Sequence, residues 1–482
     1  MPFAKEIQTT VFGLLVAFFL VAIAAGYWAV FGPDSILGRE DNPRLVEATS
    51  AILRGRFYDR DLTLLAETTE TESGVAERDY TQSAMNSVLG YYSLRYGVGG
   101  LESTYDTILS GQALPDDWST FVNESLLHRP RVGTDVQLTV DLSIQQAIVE
   151  AMGDQAGAAL VVSVPSGGLL SLVSLPTYDP NTLATDWETL VEAPDKPFFN
   201  RALQGQYQPG STMQTLLLGA ASLASLDTTR QFSGASDPVD LDDIALNCVL
   251  APPEGPITLI QSYSYGCPQP FLTIAEQLGE DTVYSYLERI GDRQTTLLQA
   301  FATPTPTEDT TPTPSVTDEP EANFQEEVLG QGNMTVSPLT LSTMVAAILS
   351  NGSTRQPHTI LATKPPQADD WQPYTVDRNP IPFFTEDTAN ALLNAMKSAF
   401  AVSPLADMPR PEGVEIGGQY AISHTGDGQV RWFVGFVRLP SQQSASIVIA
   451  LEPDASIDAL NHVVEQTIMA TIDNLTEATP PQ

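Results

Sequence analysis

TDVQLTVDLSIQQAIVEAMGDQAGAALVVSVPSGGLLSLVSL, residues 134–175, carries the clearest fold signal in the chain. Val136, Leu138 and Val140 alternate with polar residues, the period of a strand with one buried face. Leu142 to Met152 then takes helical spacing, and Asp141 stands where an N-cap carboxylate accepts the first free backbone N–H groups. Ala158 to Val164, the turn Pro165-Ser166-Gly167-Gly168, and Leu169 to Leu175 read as a hairpin. Further on, Val336 to Leu349 returns to a helical period. Tyr420 to Ser423, Trp432 to Arg438 and Ser444 to Leu451 read as three successive strands, and Ile457 to Ile472 as a closing helix. Late antiparallel strands covered by helices make this an α+β chain.

Upstream, Gly32 to about Pro130 reads as mixed helix, strand and turn. Thr303 to Pro320 is built from Thr-Pro steps with Glu308, Asp309, Asp318 and Glu319, so it is expected to be an extended, solvated, disordered insertion. With 482 residues and 42% apolar side chains, the chain has room for more than one core. Its net charge of −37 repels phosphates and argues against nucleic-acid binding. The two cysteines, Cys248 and Cys267, have no Cys/His partners at metal spacing, so no metal and no other cofactor is expected. Outside the membrane they are a candidate disulfide; two separate buried thiols are the alternative.

Val11 to Phe31 is free of charge over 21 residues. As a helix it would be ~31 Å long, about one bilayer core. Tyr27 and Trp28 lie near its outer end, where aromatic rings favour the interface. A retained anchor is favoured over a signal peptide cleaved near Ala22-Ile23-Ala24, because the run is long for such a segment. Lys5 is offset by Glu6, so the topology signal is weak. The expected division is a cytoplasmic tail at 1–10, a transmembrane helix at 11–31, a pedestal at 32–150, a second domain at 151–473 and a disordered tail at 474–482. The bulk is expected to be extracytoplasmic.

Several phrases, in order, resemble class B penicillin-binding proteins. Arg54 to Arg60 (RGRFYDR) is similar to that family's Arg-Gly-x-Ile-x-Asp-Arg opening, and Gly90 to Glu102 (GYYSLRYGVGGLE) resembles a segment of its actinobacterial members. Val136 to Gln146 matches the entry to its transpeptidase domain. Thr177 to Asn181 (TYDPN) looks like its Ser-Phe-Asp-Pro-Asn, and Asn200-Arg201-Ala202 followed by Gln208 to Thr212 (QPGST) like the approach to its nucleophile. Gly330-Gln331-Gly332 with Val336 to Leu339, and Trp432 to Phe436 (WFVGF), complete the series. The resemblance spans about residues 30 to 473. It implies an elongated, dimerisation-like pedestal carrying a transpeptidase domain like that of the serine β-lactamases. It also implies a role in peptidoglycan synthesis, with stem peptide or β-lactam as ligand and a polytopic glycan polymerase as partner.

The resemblance implies three catalytic elements: Ser-x-x-Lys, Ser-x-Asn and Lys-Thr-Gly. Acyl transfer needs an activated hydroxyl, a proton acceptor and oxyanion donors. Here the first element is Ser211-Thr212-Met213-Gln214. Ser211 is the candidate nucleophile, and a helix N-cap is its plainer reading. Gln214 replaces the lysine and cannot take a proton, removing general-base help of about 10²–10⁴ in rate. The second element falls on Gly266-Cys267-Pro268, which has neither the hydroxyl nor the amide; Ser264 and Tyr265 stand out of register. The third falls on His424-Thr425-Gly426-Asp427, where His424 replaces lysine and Asp427 would repel a bound carboxylate. No copy of any of the three motifs occurs elsewhere, and the chain has only four lysines, Lys5, Lys196, Lys364 and Lys397.

The leading expectation is therefore a pseudo-transpeptidase that acts by binding. A working serine acyltransferase using Ser211 with His424 is the alternative, and an exported binding protein unrelated to wall synthesis is the third reading. A lysine brought to Ser211 by the fold would overturn the first.

Overall fold

The computed structural model describes residues 4–30, 52–70, 76–114, 129–241, 244–289, 323–375, 379–425, 428–453 and 455–477. The Thr/Pro-rich stretch at 303–320, Gly426, Asp427 and residues 478–482 of the expected tail lie outside them. The principal elements run from helix α1 (Ala4–Val30) to strands β1 (Phe57–Tyr58), β2 (Leu64–Glu70), β3 (Ala76–Tyr80) and β4 (Asp135–Leu138). Helix α2 (Leu142–Met152), hairpin strands β5 (Gly157–Val164) and β6 (Leu169–Leu175), and helix α3 (Leu183–Glu192) follow. Next come helices α4 (Met213–Leu223), α5 (Leu259–Tyr265), α6 (Pro268–Leu278) and α7 (Pro338–Leu349). The chain continues with β7 (Ile360–Lys364), β8 (Gln372–Pro373), α8 (Glu386–Phe400), β9 (Glu415–Thr425), β10 (Gly428–Arg438), β11 (Ser444–Leu451) and α9 (Ile457–Glu477).

Strand alternation decides how the central sheet packs. Along β10, Val430, Trp432, Val434 and Phe436 enter one hydrophobic cluster, while Phe433 and Val437 enter another. Both faces are therefore buried, which is why these strands read as unbroken apolar runs. The sheet has the order β9-β10-β11-β5-β6 and is antiparallel throughout. Residues of α4, α5, α6, α7 and α8 fill the first cluster, and α2 and α9 fill the second. The Trp432 ring is fully buried. Burying a side chain of this kind stabilises by about 1.5–3 kcal/mol or more.

The pedestal is built on a second sheet, ordered β8-β7-β4-β1-β2-β3. Its outer strands β7 and β8 come from beyond residue 359, so the chain returns across the boundary expected near residue 150. The two sheets share a third cluster, in which Phe57, Val136 and Leu138 meet Leu160, Val162 and Leu172. Asp141 caps α2 as expected, accepting from the N–H groups of Ser143 and Ile144. The closing helix runs to Glu477, past Ile472 and into the segment expected to be a disordered tail.

Two of the sequence phrases converge in a buried charge cluster. Glu102 is fully buried and accepts from Arg54 at 2.8 and 3.0 Å and from Arg78 at 2.7 Å. Arg54 also donates to Asp106, and Arg78 to the Gly55 carbonyl at 2.8 Å. Another phrase links the two domains. Asn181 donates its amide to the Tyr80 carbonyl and accepts from the Tyr80 N–H, both at 3.0 Å.

Helix α1 is 27 residues long. Its side chains are described from residue 9 to 24, where Phe12, Leu15, Phe18 and Phe19 are exposed. Among the described residues no helix is long and apolar enough to cross a membrane.

Removing the carboxylate that two guanidinium groups share leaves buried Arg78 without a carboxylate partner and Arg54 with only the partly exposed Asp106. Glu102→Ala is therefore expected to cost about 3–5 kcal/mol in chemical denaturation, more than Asp106→Ala, whose carboxylate is partly exposed. A loss below about 1 kcal/mol would contradict this account.

Candidate active-site cleft

The turn before α4 is pressed against the edge strand β9. Gly210 has φ of +53°, and a Cβ there would lie 2.1 Å from the Ile422 carbonyl oxygen, so only glycine fits. Its N–H donates to the Gly330 carbonyl at 2.8 Å, which seats the Gly330-Gln331-Gly332 segment beside the turn. Ser211 follows within a short 3₁₀ turn. Its hydroxyl does not cap the helix. It accepts from the Ile422 N–H at 2.9 Å and donates to the Ile422 carbonyl at 3.4 Å. The N-cap reading of Ser211 is thus corrected: close approach of the strand offers a backbone partner that the helix start does not.

Ser211 lines a small open cleft, of about 90 Å³, together with Gln214, Gly266, Pro268, Gln331 and His424. Gln214 is almost fully buried. Its amide donates to the Cys267 carbonyl at 3.3 Å, and its oxygen accepts from Gln419 at 3.0 Å. Gln419 also donates to the Tyr263 carbonyl at 3.4 Å and accepts from Thr215 at 3.3 Å. The Thr215 hydroxyl bonds the Tyr263 hydroxyl at 3.1 Å, and burial pushes that phenol's pKa up, so it stays neutral. A closed network of uncharged groups therefore stands where a general base would be needed.

Gly266 and Pro268 form the joint between α5 and α6. Gly266 is the left-handed cap of α5 with φ of 65°, and a Cβ there would meet Val249 at 2.6 Å. Pro268 occupies the first turn of α6, where a missing N–H costs nothing. Both positions thus have structural uses. Cys267, between them, is bonded to Cys248, which ties the 247–249 wall of the cleft to this joint. Neither Ser264 nor Tyr265 lines the cleft: the Ser264 hydroxyl donates to the Ile260 carbonyl at 2.9 Å, and Tyr265 packs on the core.

His424 faces the cleft from β9, but Ser211 is not among its hydrogen-bond partners. Its Nε2 meets the Gln429 amide at 3.0 Å, and its Nδ1 is buried without a partner. Burial lowers its pKa below the ordinary 6.5, so the ring is neutral near pH 7. Its N–H donates to Gln331 at 3.2 Å. Thr425 ends β9 opposite Gly428. Gly426 and Asp427 lie outside the described residues.

Among the described residues no lysine lines the cleft. Lys397 pairs with Glu415 at 2.8 Å, and Lys196 is not a partner of Ser211. Sequence reading missed Gln419 and Gln429. Gln419 was detectable in principle, as a buried amide among the apolar and small residues of Ile416–Ile422.

The fold and the cleft can now be set beside known proteins. The family model described as penicillin binding protein transpeptidase domain matches residues 157–472, and that of the penicillin binding protein A dimerisation domain matches residues 54–136. The chain is 28% identical over 388 residues, 75% of each chain, to the peptidoglycan D,D-transpeptidase PbpA of Mycobacterium tuberculosis. It is 24% identical over 308 residues to the peptidoglycan D,D-transpeptidase MrdA of Escherichia coli, covering 60% of this chain and 49% of that one. The solved imipenem acyl-enzyme complex of penicillin-binding protein A from M. tuberculosis shares the fold, with a TM-score of 0.73 at 23% identity over 88% of this chain and 99% of that one. With its transpeptidase model matched over most of the chain and the dimerisation model ahead of it, this chain belongs to the class B penicillin-binding proteins.

Proposed function

We propose that this chain is a pseudo-transpeptidase of peptidoglycan synthesis, held in the cell membrane by residues 11–31 with its bulk outside, and that it works by binding. The observation that carries this reading is the state of Ser211 and Gln214. The hydroxyl is engaged by the Ile422 backbone, and the position one helical turn on is a satisfied amide. Among the described residues that line the cleft, no lysine or carboxylate stands ready to supply base catalysis, worth about 10²–10⁴ in rate. His424 is a poor substitute because its nearest side-chain partner is Gln429.

The relatives named as peptidoglycan D,D-transpeptidases support the wall-synthesis setting. A stem peptide or β-lactam would be held only weakly, because among the described residues no cation lines the cleft to meet its carboxylate. A polytopic glycan polymerase is the partner this reading favours, since the pedestal and anchor offer surface independent of Ser211. The anchor reading rests on the uncharged run Val11–Phe31 and on apolar side chains along α1 that are exposed among the described residues.

Three measurements test these statements. Fluorescent penicillin should leave the wild-type chain unlabelled in intact-mass analysis, and Ser211→Ala should be indistinguishable from it. An adduct on Ser211 that disappears in Ser211→Ala would show a working enzyme. Affinity capture from native membranes should recover a polytopic wall polymerase, and recovery of no wall-synthesis component would remove the partner assignment.

The third concerns pH. Unfolded His424 takes up a proton near 6.5, whereas the buried ring does so only at lower pH. Between those values the unfolded state binds more protons, so this group makes stability fall as pH drops through the window. His424→Gln should lack that component when denaturation curves at about pH 7.5 and about pH 5.5 are compared. Equal pH dependence in both proteins would show that His424 titrates normally.

A further inference from the structure

A second cavity, of about 170 Å³ and open to solvent, shares no lining residue with the Ser211 cleft. It lies where the pedestal meets the transpeptidase-like domain. Segments 86–90 and 100–104 form one side, and segments 172–178 and 197–204 the other. The seam is tied beside it: Ser87 donates to the Leu172 carbonyl at 3.2 Å, and Asn200 to the Ser87 carbonyl at 3.3 Å.

The lining has three chemical properties. None of its side chains is charged, although charged residues make up 17% of the sequence. One wall is aromatic and braced: the Tyr178 and Phe198 rings lie 4.6 Å apart, and Tyr91 touches both at 6.0 and 5.9 Å. Trp187 backs Phe198 at 5.1 Å and is itself stacked on Tyr96 at 4.2 Å. Phe199, also in the lining, is 38% exposed. Third, polar groups stand among the rings. The Thr177 hydroxyl is buried without a hydrogen-bond partner, and the amides of Asn86 and Gln204 belong to the same lining.

These properties narrow the occupant. A carboxylate or phosphate would find no counter-charge. A purely apolar chain would leave the Thr177 hydroxyl unpaired and bury further amides. A molecule that is uncharged, rich in hydroxyl or amide groups and flat on its C–H faces satisfies both the rings and the polar groups. We propose that this interdomain cavity binds an uncharged saccharide. Because the ligand touches both sides of the seam, it also holds the pedestal and the second domain together. The proposal does not depend on whether Ser211 reacts.

The test is calorimetric titration of the full chain with chitotriose, in a zwitterionic detergent without a sugar headgroup. Saturable binding is expected, weakened at least about fivefold by Thr177→Val and by Phe199→Ala, and unchanged by Ser211→Ala. Trigalacturonate, a saccharide of similar size but negative charge, should not compete. Thr177→Val is nearly isosteric and carries the test if Phe199→Ala fails to fold, which melting curves of each variant will show. The proposal is overturned by the absence of saturable heat up to about 10 mM chitotriose. Binding that both cavity variants leave intact, or equal binding of trigalacturonate, overturns it as well.

Discussion

The contact on which the cleft depends is the pressing of the Gly210-Ser211 turn onto strand β9. It fixes Gly210 as glycine, because any Cβ would strike the Ile422 carbonyl. It then gives the Ser211 hydroxyl two backbone partners on one residue. A serine here has a structural use that requires no chemistry. Replacing it would leave a partly buried N–H unpaired, at a cost of about 1–3 kcal/mol. Retention of the serine is therefore explained by the strand contact alone and is weak evidence for a nucleophile.

The same argument applies one turn further along α4. A lysine at position 214 would place a cation among Cys267, Gln419, Tyr263 and Thr215, none of which is anionic. A glutamine fits that environment without desolvating a charge, and each end of its amide finds a partner. The bond between Cys248 and Cys267 holds the facing wall at the carbonyl that this amide uses. Strand, helix and disulfide thus join in one uncharged network. Such a network stabilises a fixed cleft, whereas general-base catalysis requires a group that can change its protonation state.

Most of the regular structure was legible because period and caps are local. Asp141 named the start of α2, the Pro165-Ser166-Gly167-Gly168 turn separated β5 from β6, and Ser444–Leu451 was read with its final limits. The order of strands in the sheets was not legible. Nothing in residues 360–364 says that they pair with β4, because register depends on partners more than 200 residues away. In the cleft, Ser211, Gln214, Gly266, Pro268 and His424 were legible as candidate residues, and one lining holds them all. What could not be read was where Ser211 would point, since both a helix start and a neighbouring strand offer partners and only the tertiary approach selects one.

The phrases that carried the family resemblance turn out to be mainly structural. Arg54 and Glu102 belong to the buried charge cluster, Asp141 caps a helix, and Asn181 clasps the Tyr80 backbone across the domain seam. Each would cost stability if changed, whatever chemistry the cleft performs. The cleft residues Gly266, Pro268 and Gln214 are a separate set, and each fits its local surroundings. Gly266 caps a helix in the left-handed conformation, Pro268 opens the next one, and Gln214 completes an amide network. The constraints that maintain this fold are thus separable from those that maintain its chemistry. A chain can satisfy the first set in full, and so be recognised with ease, while the second set is free to change.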